Sequence, residues 1–276
     1  MRRSHTATTT DLASWLKCPH CSQPLAAHDG LVLGCANGHR FDSNRRGYLS
    51  VLDTSKGIVG DPRPVLEARA RFLAHGFYEP IADAVAAALP RDRPLDILES
   101  GCGTGYYLHH VLSRSPSPSA GLAVDASQAA VMMSVAATAS CGLVADAWQP
   151  SPVRNDRADV ILCVFAPRNP AEFARVLRTD GTLVVVTPAS DHLTELRAAG
   201  LLIGMQSHKL PKLDDALLPH FDLADRTVLH YEIALSPTAA ADLTRMGPTG
   251  HHETSGAWLG GPVTVSVDVS AFTVRA

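Results

Sequence analysis

The feature that most constrains the fold is the alternation of apolar strand-like runs and helical segments from residue 95 onward. Strands are predicted over LDILES, GLAVDAS, LVADA, ADVILCVFA and TLVVVTP, and helices over YYLHHVLSR, SQAAVMMSVAATA and AEFARVLRTDG. Apolar strands joined by helices are typical of a parallel sheet that is covered on both faces. RTVLHYEIAL and PVTVSVDVSAFTVRA indicate an antiparallel edge, with a helix near PTAAADLTRM between them. The sequence therefore predicts an α/β, Rossmann-like fold with a mostly parallel sheet and an antiparallel edge.

A glycine-rich loop follows the first of these strands. It reads Glu99-x-Gly101-x-Gly103-x-Gly105, whereas the dinucleotide-binding loop G-x-G-x-x-G places its third glycine three residues after the second. Asp125 ends the next strand, where a carboxylate can accept hydrogen bonds from ribose hydroxyls. This set favours a nucleoside ligand without a pyrophosphate and indicates S-adenosylmethionine. Glycines that serve only a tight turn are the alternative.

Two further positions lie at strand ends. Asp146 follows the third strand, where a carboxylate can meet the adenine amino group, but a role as a turn former is equally well supported. Phe165 ends the fourth strand, near which the transferred methyl group is expected. It is a candidate for stacking on a flat substrate, with a place in the core as the alternative.

A cluster of cysteines near the N-terminus has the spacing of a metal site. Cys18 and Cys21 form a C-x2-C knuckle, and Cys35 and His39 follow on the far side of a hairpin predicted at Asp29-Gly30. Four sulfur and imidazole ligands complete a tetrahedral zinc site, which is then structural. The alternative is chance placement of free thiols. We expect the three other cysteines, Cys102, Cys141 and Cys163, to be small buried apolar residues.

The division of the chain follows from these segments. A zinc-binding lobe is predicted over 15–50, a linker and helical segment over 51–94, and a methyltransferase domain over 95–276. The first dozen residues are expected to be frayed and lack the apolar run of a signal peptide. No stretch reaches the roughly 20 apolar residues that a membrane helix needs. We therefore expect a cytoplasmic protein with no membrane partner.

Basic side chains concentrate directly after the cysteine cluster, although the net charge is −3. Residues 40–71 contain seven basic and four acidic side chains. Such a patch is compatible with phosphate contacts, and an ordinary solvated surface is the alternative. Four candidates for contacts with RNA are Arg45, Arg46, Arg69 and Arg71.

At this point the motifs resemble those of a known family. The zinc knuckle is followed by Arg69-Ala70-Arg71-Phe72-Leu73, Gly76-Phe77-Tyr78-Glu79-Pro80, GCGTGYY, Phe165-Ala166-Pro167 and Thr187-Pro188 with His192-Leu193. From Cys18 to about residue 200, this order resembles the RlmA-type 23S ribosomal RNA guanine-N1 methyltransferases, which include macrolide self-resistance enzymes. The resemblance implies a class I methyltransferase fold and zinc on the four ligands named above. It also implies S-adenosylmethionine contacts from Tyr78, Tyr107, Leu108 and His192.

The resemblance predicts the function as well. The expected reaction is methyl transfer from S-adenosylmethionine to N1 of a guanine in a hairpin loop of 23S rRNA, with macrolide resistance as a hypothesis. One alternative is a small-molecule methyltransferase with a structural zinc knuckle, which would not need the basic stretch. Another is a non-catalytic zinc-ribbon RNA-binding module. The general base and the oligomeric state stay open.

Overall fold

The N-terminal segment folds into one helix and a small antiparallel sheet. In the computed structural model, which describes residues 7–52, 60–202, 209–247 and 258–275, helix α1 spans Thr9–Trp15. The sheet that follows contains, in spatial order, β1 (Ala26–Ala27), β2 (Val32–Gly34) and β3 (Arg40–Asp42). Val32 N donates to Asp29 O at 2.9 Å, and Gly30 has a φ of +55°. The predicted hairpin is therefore confirmed.

From Thr8 onward, helix α1 contradicts the expectation that the first dozen residues are frayed, while residues 1–6 lie outside the described part. The Thr8 hydroxyl accepts a hydrogen bond from Asp11 N at 3.1 Å, and the Asp11 carboxylate accepts one from Thr8 N at 2.8 Å. This reciprocal pair is a capping box. Trp15 is buried beneath the Arg157 guanidinium, which lies 4.1 Å above its ring. The prediction failed because tertiary contacts with a distant strand order a segment that is too short to form a stable helix alone.

The larger sheet has eight strands within the described residues. They are β4 (Tyr48–Ser50), β5 (Asp96–Ser100), β6 (Ala120–Asp125), β7 (Cys141–Val144), β8 (Ala158–Val164), β9 (Leu177–Pro188), β10 (Phe221–Leu235) and β11 (Gly261–Val274). Their spatial order is β10-β11-β9-β8-β5-β6-β7-β4. Strands β4 to β9 pair in parallel, and β11 runs antiparallel to both β9 and β10. The predicted mostly parallel sheet with an antiparallel edge is confirmed.

The helices cover both faces of this sheet. After α1 they are α2 (Arg63–Ala74), α3 (Glu79–Ala87), α4 (Tyr106–Arg114), α5 (Gln128–Thr138), α6 (Pro170–Val176), α7 (Thr194–Ala198), α8 (Lys209–Leu217) and α9 (Pro237–Met246). One apolar core lies under α2, α3, α4, α5 and α9, and a second lies under α1, α6 and α8. None of these helices in the described part of the chain is long and apolar enough to cross a membrane. Strand β5 lies between β6 on one side and β8 on the other, so the strand order reverses there and a crevice opens at the carboxyl ends of these strands.

Two elements differ from the sequence prediction. The helix predicted over AEFARVLRTDG ends at Val176, because Leu177 already pairs with Ala158 in β9. Arg178 then reaches the carboxylates of Asp96 and Asp159 at 3.0 and 2.5 Å, and these ion pairs favour an extended backbone over another helical turn. Strand β4 lies at the end of the predicted zinc-binding lobe but pairs with β7 in the larger sheet.

The zinc-binding lobe shares the second apolar core with the larger sheet. Arg154 connects the two by donating to the backbone carbonyls of Leu16 and Leu25 in the lobe and of Ala13 in α1, at 2.7–2.9 Å. We therefore expect the lobe and the sheet to stabilise each other. The division at residues 50 and 94 stays a prediction, and residues 53–59 of the predicted linker lie outside the described part.

Candidate active site and metal centre

The glycine loop crosses the end of β6 as it leaves β5. Gly101 N donates to Val124 O at 2.8 Å, and Gly101 has a φ of +75°. A Cβ on Gly101 would lie 2.4 Å from the Cβ of Ala166, just after β8. Glycine is required here because the backbone is left-handed and packs directly against the neighbouring strand end. The loop ends at Gly105, which is also left-handed, with a φ of +78°, and precedes α4.

Asp125 orders this loop from the end of β6. Its Oδ2 accepts a hydrogen bond from Gly103 N at 3.0 Å, and its Oδ1 accepts one from Ser127 N at 2.8 Å. Burial raises the pKa of this carboxyl, and the two backbone hydrogen bonds oppose that effect. Each oxygen keeps a second lone pair, so the side chain can also accept hydrogen bonds from ribose hydroxyls. Its role in cofactor binding stays a prediction.

Glu99 is buried at the carboxyl end of β5, beneath the same loop. Its carboxylate accepts a hydrogen bond from Leu108 N at 3.3 Å. Desolvation raises the pKa of this carboxyl well above its ordinary value, and the nearby Asp125 raises it further. A buried acid with one backbone partner can accept hydrogen bonds from an ammonium group or a hydroxyl in the crevice.

The Tyr107 hydroxyl is buried and has no hydrogen-bond partner within the described residues. Because an unpaired buried hydroxyl is costly, a ligand with a polar group at this position would relieve that cost. The crevice fits S-adenosylmethionine on three counts. It offers two carboxylates for hydroxyl and ammonium donors, an unpaired hydroxyl, and a loop whose glycines allow close approach. We call this set of residues the cradle; it contains Glu99, Gly101, Gly103, Gly105, Tyr107, Leu108 and Asp125.

Three aromatic rings lie beside the cradle where β8 and β9 end. The Phe165 ring centroid is 6.2 Å from that of Tyr78 and 6.1 Å from that of His192, to which it is stacked. Phe165 is 40% exposed and has a φ of +53°. A bulky residue in the left-handed region is strained, and such strain is often found at functional sites. The sequence shows the strand end but contains no signal for this backbone conformation.

His192 is oriented by two hydrogen bonds. Ser266 N donates to its Nδ1 at 3.2 Å, and its Nε2 lies 3.3 Å from the Tyr78 hydroxyl. A backbone N–H can only donate, so Nδ1 is the acceptor and the neutral ring carries its proton on Nε2. Nε2 then donates to Tyr78, whose own proton can point elsewhere. Desolvation raises the pKa of Tyr78, which keeps its hydroxyl neutral.

Asp146 forms a turn after β7. Its Oδ1 accepts a hydrogen bond from Trp148 N at 3.0 Å, which is the local pattern of an Asx turn. The turn-forming role is therefore present, and the adenine contact stays a prediction. The turn leaves Trp148 66% exposed.

The four metal-ligand candidates come together on two tight turns. In the first, Ser22 N donates to Cys18 O at 2.8 Å, and Ser22 has a φ of +59°. In the second, Cys35 N donates to His39 O at 3.1 Å. The side-chain atoms of Cys18, Cys21, Cys35 and His39 all lie within 4.8 Å of one another.

The ligand distances fit zinc. Nδ1 of His39 lies 3.5 Å from Cys18 Sγ and 3.4 Å from Cys35 Sγ, and the sulfurs of Cys21 and Cys35 are 3.6 Å apart. A tetrahedral zinc ion, with bonds of about 2.3 Å to sulfur and about 2.0 Å to nitrogen, separates its ligand atoms by about 3.5–3.8 Å. Desolvation opposes ionisation of Cys35, but hydrogen bonds with His39 and Cys21 lower its pKa to about 6. The segment is a zinc ribbon.

The remaining cysteines are buried, as predicted. Desolvation raises the pKa of Cys102 well above its ordinary value, and it raises those of Cys141 and Cys163 to about 12. None of the three forms a nucleophilic thiolate near neutral pH.

The four arginines predicted to contact RNA fall into two pairs. Arg45 and Arg46 are exposed, and their guanidinium groups contact no carboxylate in the described ranges. Arg71 is bound to Asp242 through two hydrogen bonds of 2.6 and 3.0 Å, and Arg69 to Asp61 at 2.6 Å. The sequence alone could not reveal these partners, since Asp242 lies 171 positions away. Whether any of the four contacts RNA stays a prediction.

Comparisons with known proteins agree with both sites. The family model of the RlmA N-terminal zinc ribbon matches residues 16–55. A 23S rRNA (guanine(748)-N(1))-methyltransferase of Streptomyces fradiae is 37% identical over 248 residues, which are 88% of this chain and 88% of the relative. A Micromonospora griseorubida protein classed with the 23S rRNA (guanine-N(1)-)-methyltransferases is 36% identical and covers 94% of this chain and 96% of its own length.

The fold also matches a solved structure. A Haloferax volcanii protein solved in complex with the Trm112 methyltransferase activator superposes with a TM-score of 0.51 and 15% identity. It covers 79% of this chain and 100% of its own length. The two proteins therefore share one fold, the Rossmann-like fold that the sequence predicts.

Proposed function

This chain belongs to the family of 23S rRNA (guanine-N(1))-methyltransferases, and we propose that its substrate is a guanine in a hairpin loop of 23S rRNA, which it methylates at N1. The observation that carries the proposal is the likeness to the Streptomyces fradiae relative over 88% of both chains. The match of residues 16–55 to the RlmA N-terminal zinc ribbon supports the same family independently. Because rRNA is made and folded in the cytoplasm, we expect the enzyme to act there.

The cradle acts mainly by alignment. When bound, S-adenosylmethionine supplies an electrophilic methyl group on its sulfonium. The chain contributes carboxylates and a glycine loop, and the exposed ring of Phe165 is next in sequence to Ala166, which lies against Gly101. A guanine stacked on Phe165 would be held in its plane, with N1 turned toward the methyl group. Fixing two reacting groups in line is a large part of what an enzyme can supply to such a displacement.

Guanine N1 must lose its proton during the transfer. The group that accepts this proton stays open. Nδ1 of His192 accepts from Ser266 N, and its Nε2 faces the Tyr78 hydroxyl, which lies beside the aromatic ring of Phe165. The cofactor contacts predicted for Tyr78 and His192 stay predictions.

The RNA would be held by the zinc ribbon and its basic side chains. Arg45 and Arg46 lie in the turn between β3 and β4, and both are exposed. Exposed guanidinium groups bind phosphate oxygens through charge-assisted hydrogen bonds. A base in a loop costs less to extrude than one within a duplex, so a hairpin loop is the favoured target. Because the family includes macrolide self-resistance enzymes, we also propose that the modification protects ribosomes from macrolides.

A methyl-transfer assay on isolated RNA tests the substrate. Labelled S-adenosylmethionine is offered together with protein-free hairpin fragments of 23S rRNA, and a matched fragment carries adenine in place of each loop guanine. We expect label in the guanine fragment only. Phe165→Leu, which removes the ring but keeps an apolar side chain, should lower kcat/KM for RNA and leave cofactor affinity unchanged. Label that enters small metabolites and never RNA would favour a small-molecule methyltransferase instead.

A further inference from the structure

Arg69 lies on helix α2, and its guanidinium lies over the glycine loop. A Cβ on Gly103 would be 3.0 Å from Arg69 Nη1, so the group rests directly on that glycine. Its Nη2 donates to Asp61 Oδ2 at 2.6 Å and to Met246 O at 2.8 Å. These two hydrogen bonds hold Nη2 on the side of the guanidinium that faces away from the glycine loop, and they leave Nη1 directed at the loop. Arg69 is therefore oriented toward the cradle.

Arg71, two positions further along the same helix, points to a different side. Arg71 is 54% exposed and is bound to Asp242 on α9. Arg69 is only 25% exposed and contacts Gly103 as well as its acidic partner. A phosphate of the RNA backbone would reach Arg71 more easily than Arg69. The position of Arg69 favours a ligand that lies within the crevice.

The donors of Arg69 are only partly used. Neither Nη1 nor Nε has a hydrogen-bond acceptor among the residues that the structure describes. Burial raises the pKa of Asp125, and Arg69 is close enough to oppose that shift. Arg69 therefore lies close to Asp125, one of the acids of the crevice, while Asp61 holds its Nη2. An arginine can only donate hydrogen bonds and always carries its charge, so it is matched to an anionic acceptor.

S-adenosylmethionine has one anionic group, the carboxylate of its methionyl part. We propose that Arg69 binds this carboxylate through Nη1, while Asp125 serves the ribose. This assignment rests on the proposed function, because it takes S-adenosylmethionine as the ligand of the cradle. It moves Arg69 from the predicted RNA contacts to the cofactor site. The Asp61 partner is then a positioning residue that sets the direction of the guanidinium.

The test compares two ligands that differ only in this group. S-adenosylmethionine and decarboxylated S-adenosylmethionine are titrated by calorimetry into the wild type, Arg69→Ala and Arg69→Lys. A hydrogen bond to a charged group contributes about 1.5–3 kcal/mol. The preference of the wild type for the carboxylated ligand should therefore fall roughly 10- to 150-fold in Arg69→Ala. Arg69→Lys, which keeps the charge, should retain part of it.

Arg71→Ala is the matched control. It removes the same side chain from the same helix and also breaks a link to α9, but Arg71 does not contact Gly103. Its preference between the two ligands should equal that of the wild type. A loss of protein stability would lower the affinity for both ligands equally and leave the ratio of the two affinities unchanged. The ratio therefore reports the contact with the carboxylate alone.

The outcomes separate the two proposals. If Arg69→Ala lowers the affinity for both ligands equally, or leaves both affinities unchanged, Arg69 does not bind the carboxylate and the assignment is refuted. If the wild type binds neither ligand, the proposed methyltransferase function itself fails. RNA plays no part in the titration, so a different RNA substrate would leave the result untouched.

Discussion

Replacing Asp125 by asparagine tests how the cradle is built. The carboxylate accepts hydrogen bonds from Gly103 N and Ser127 N, and we propose that it also accepts the ribose hydroxyls. Asparagine keeps the shape and one acceptor oxygen, but its NH2 group cannot accept. One backbone N–H then faces a donor, and the charged acceptor for the ribose is lost. We expect the affinity for S-adenosylmethionine to fall by about 1.5–3 kcal/mol, or about 10- to 150-fold.

The effect on stability should be smaller than the effect on binding. One backbone hydrogen bond is lost, but the substitution also removes a charge that burial disfavours, as the raised pKa of Asp125 indicates. These two changes oppose each other in the free energy of unfolding. In cofactor binding, the lost charge and the lost backbone hydrogen bond both lower the affinity. The ligand needs the charged acceptor and the ordered loop together.

Asp96→Asn is the matched control. Asp96 lies at the other end of β5, where Arg178 donates to its carboxylate at 3.0 Å and Arg157 forms a second ion pair. This variant also loses a carboxylate with tight partners, but far from the crevice. We expect it to lower the melting temperature and leave the cofactor affinity measured by calorimetry unchanged. Wild-type affinity in Asp125→Asn, or an equal loss in Asp96→Asn, would refute the reasoning.

Three other variants test the zinc site, the buried acid and the RNA surface. Cys18→Ser should reduce the metal content from about one zinc ion per chain and lower the melting temperature, because the ribbon shares a core with the sheet; undiminished zinc by mass spectrometry would contradict this. Glu99→Gln should stabilise the cofactor-free protein at neutral pH. The raised pKa of Glu99 means that its contribution to stability is fully present below the unfolded-state pKa and is lost as the pH rises through the folded-state pKa. The stability difference between variant and wild type, followed by denaturant melts, should therefore grow from acid to neutral pH, and a constant difference would exclude the effect. Replacing Arg45 and Arg46 by alanine should flatten the dependence of RNA affinity on salt by about 1.4 log units per log unit, with cofactor affinity as the control; an unchanged slope would remove both residues from the interface.

The central strands and the helices between them could be predicted because their signals are local. Buried parallel strands are apolar throughout, and the glycine loop lies between one such strand and a helix. The zinc ligands could be predicted for the same reason, since two knuckles specify their turns by spacing alone. In each case a few adjacent residues carry the information.

The differences arise from contacts between distant parts of the chain. Helix α1 depends on Arg157, and the early start of β9 depends on the pairing of Leu177 with Ala158. Arg69 is one basic residue among several in the sequence, and only the fold brings it to Gly103. The strained backbone of Phe165 likewise has no signature in its neighbours. Partners of this kind are set by the topology of the sheet.

The central claim is methylation of guanine N1 in 23S rRNA, and a map of reverse-transcription stops tests it most directly. A methyl group at N1 blocks base pairing, so the polymerase stops one nucleotide before the modified guanine. RNA is prepared from cells that express the wild-type chain, the Asp125→Asn variant, or neither. The account predicts one new stop at a hairpin-loop guanine with the wild type, weakened in the variant and absent without the chain. Identical stop patterns in all three preparations would contradict it.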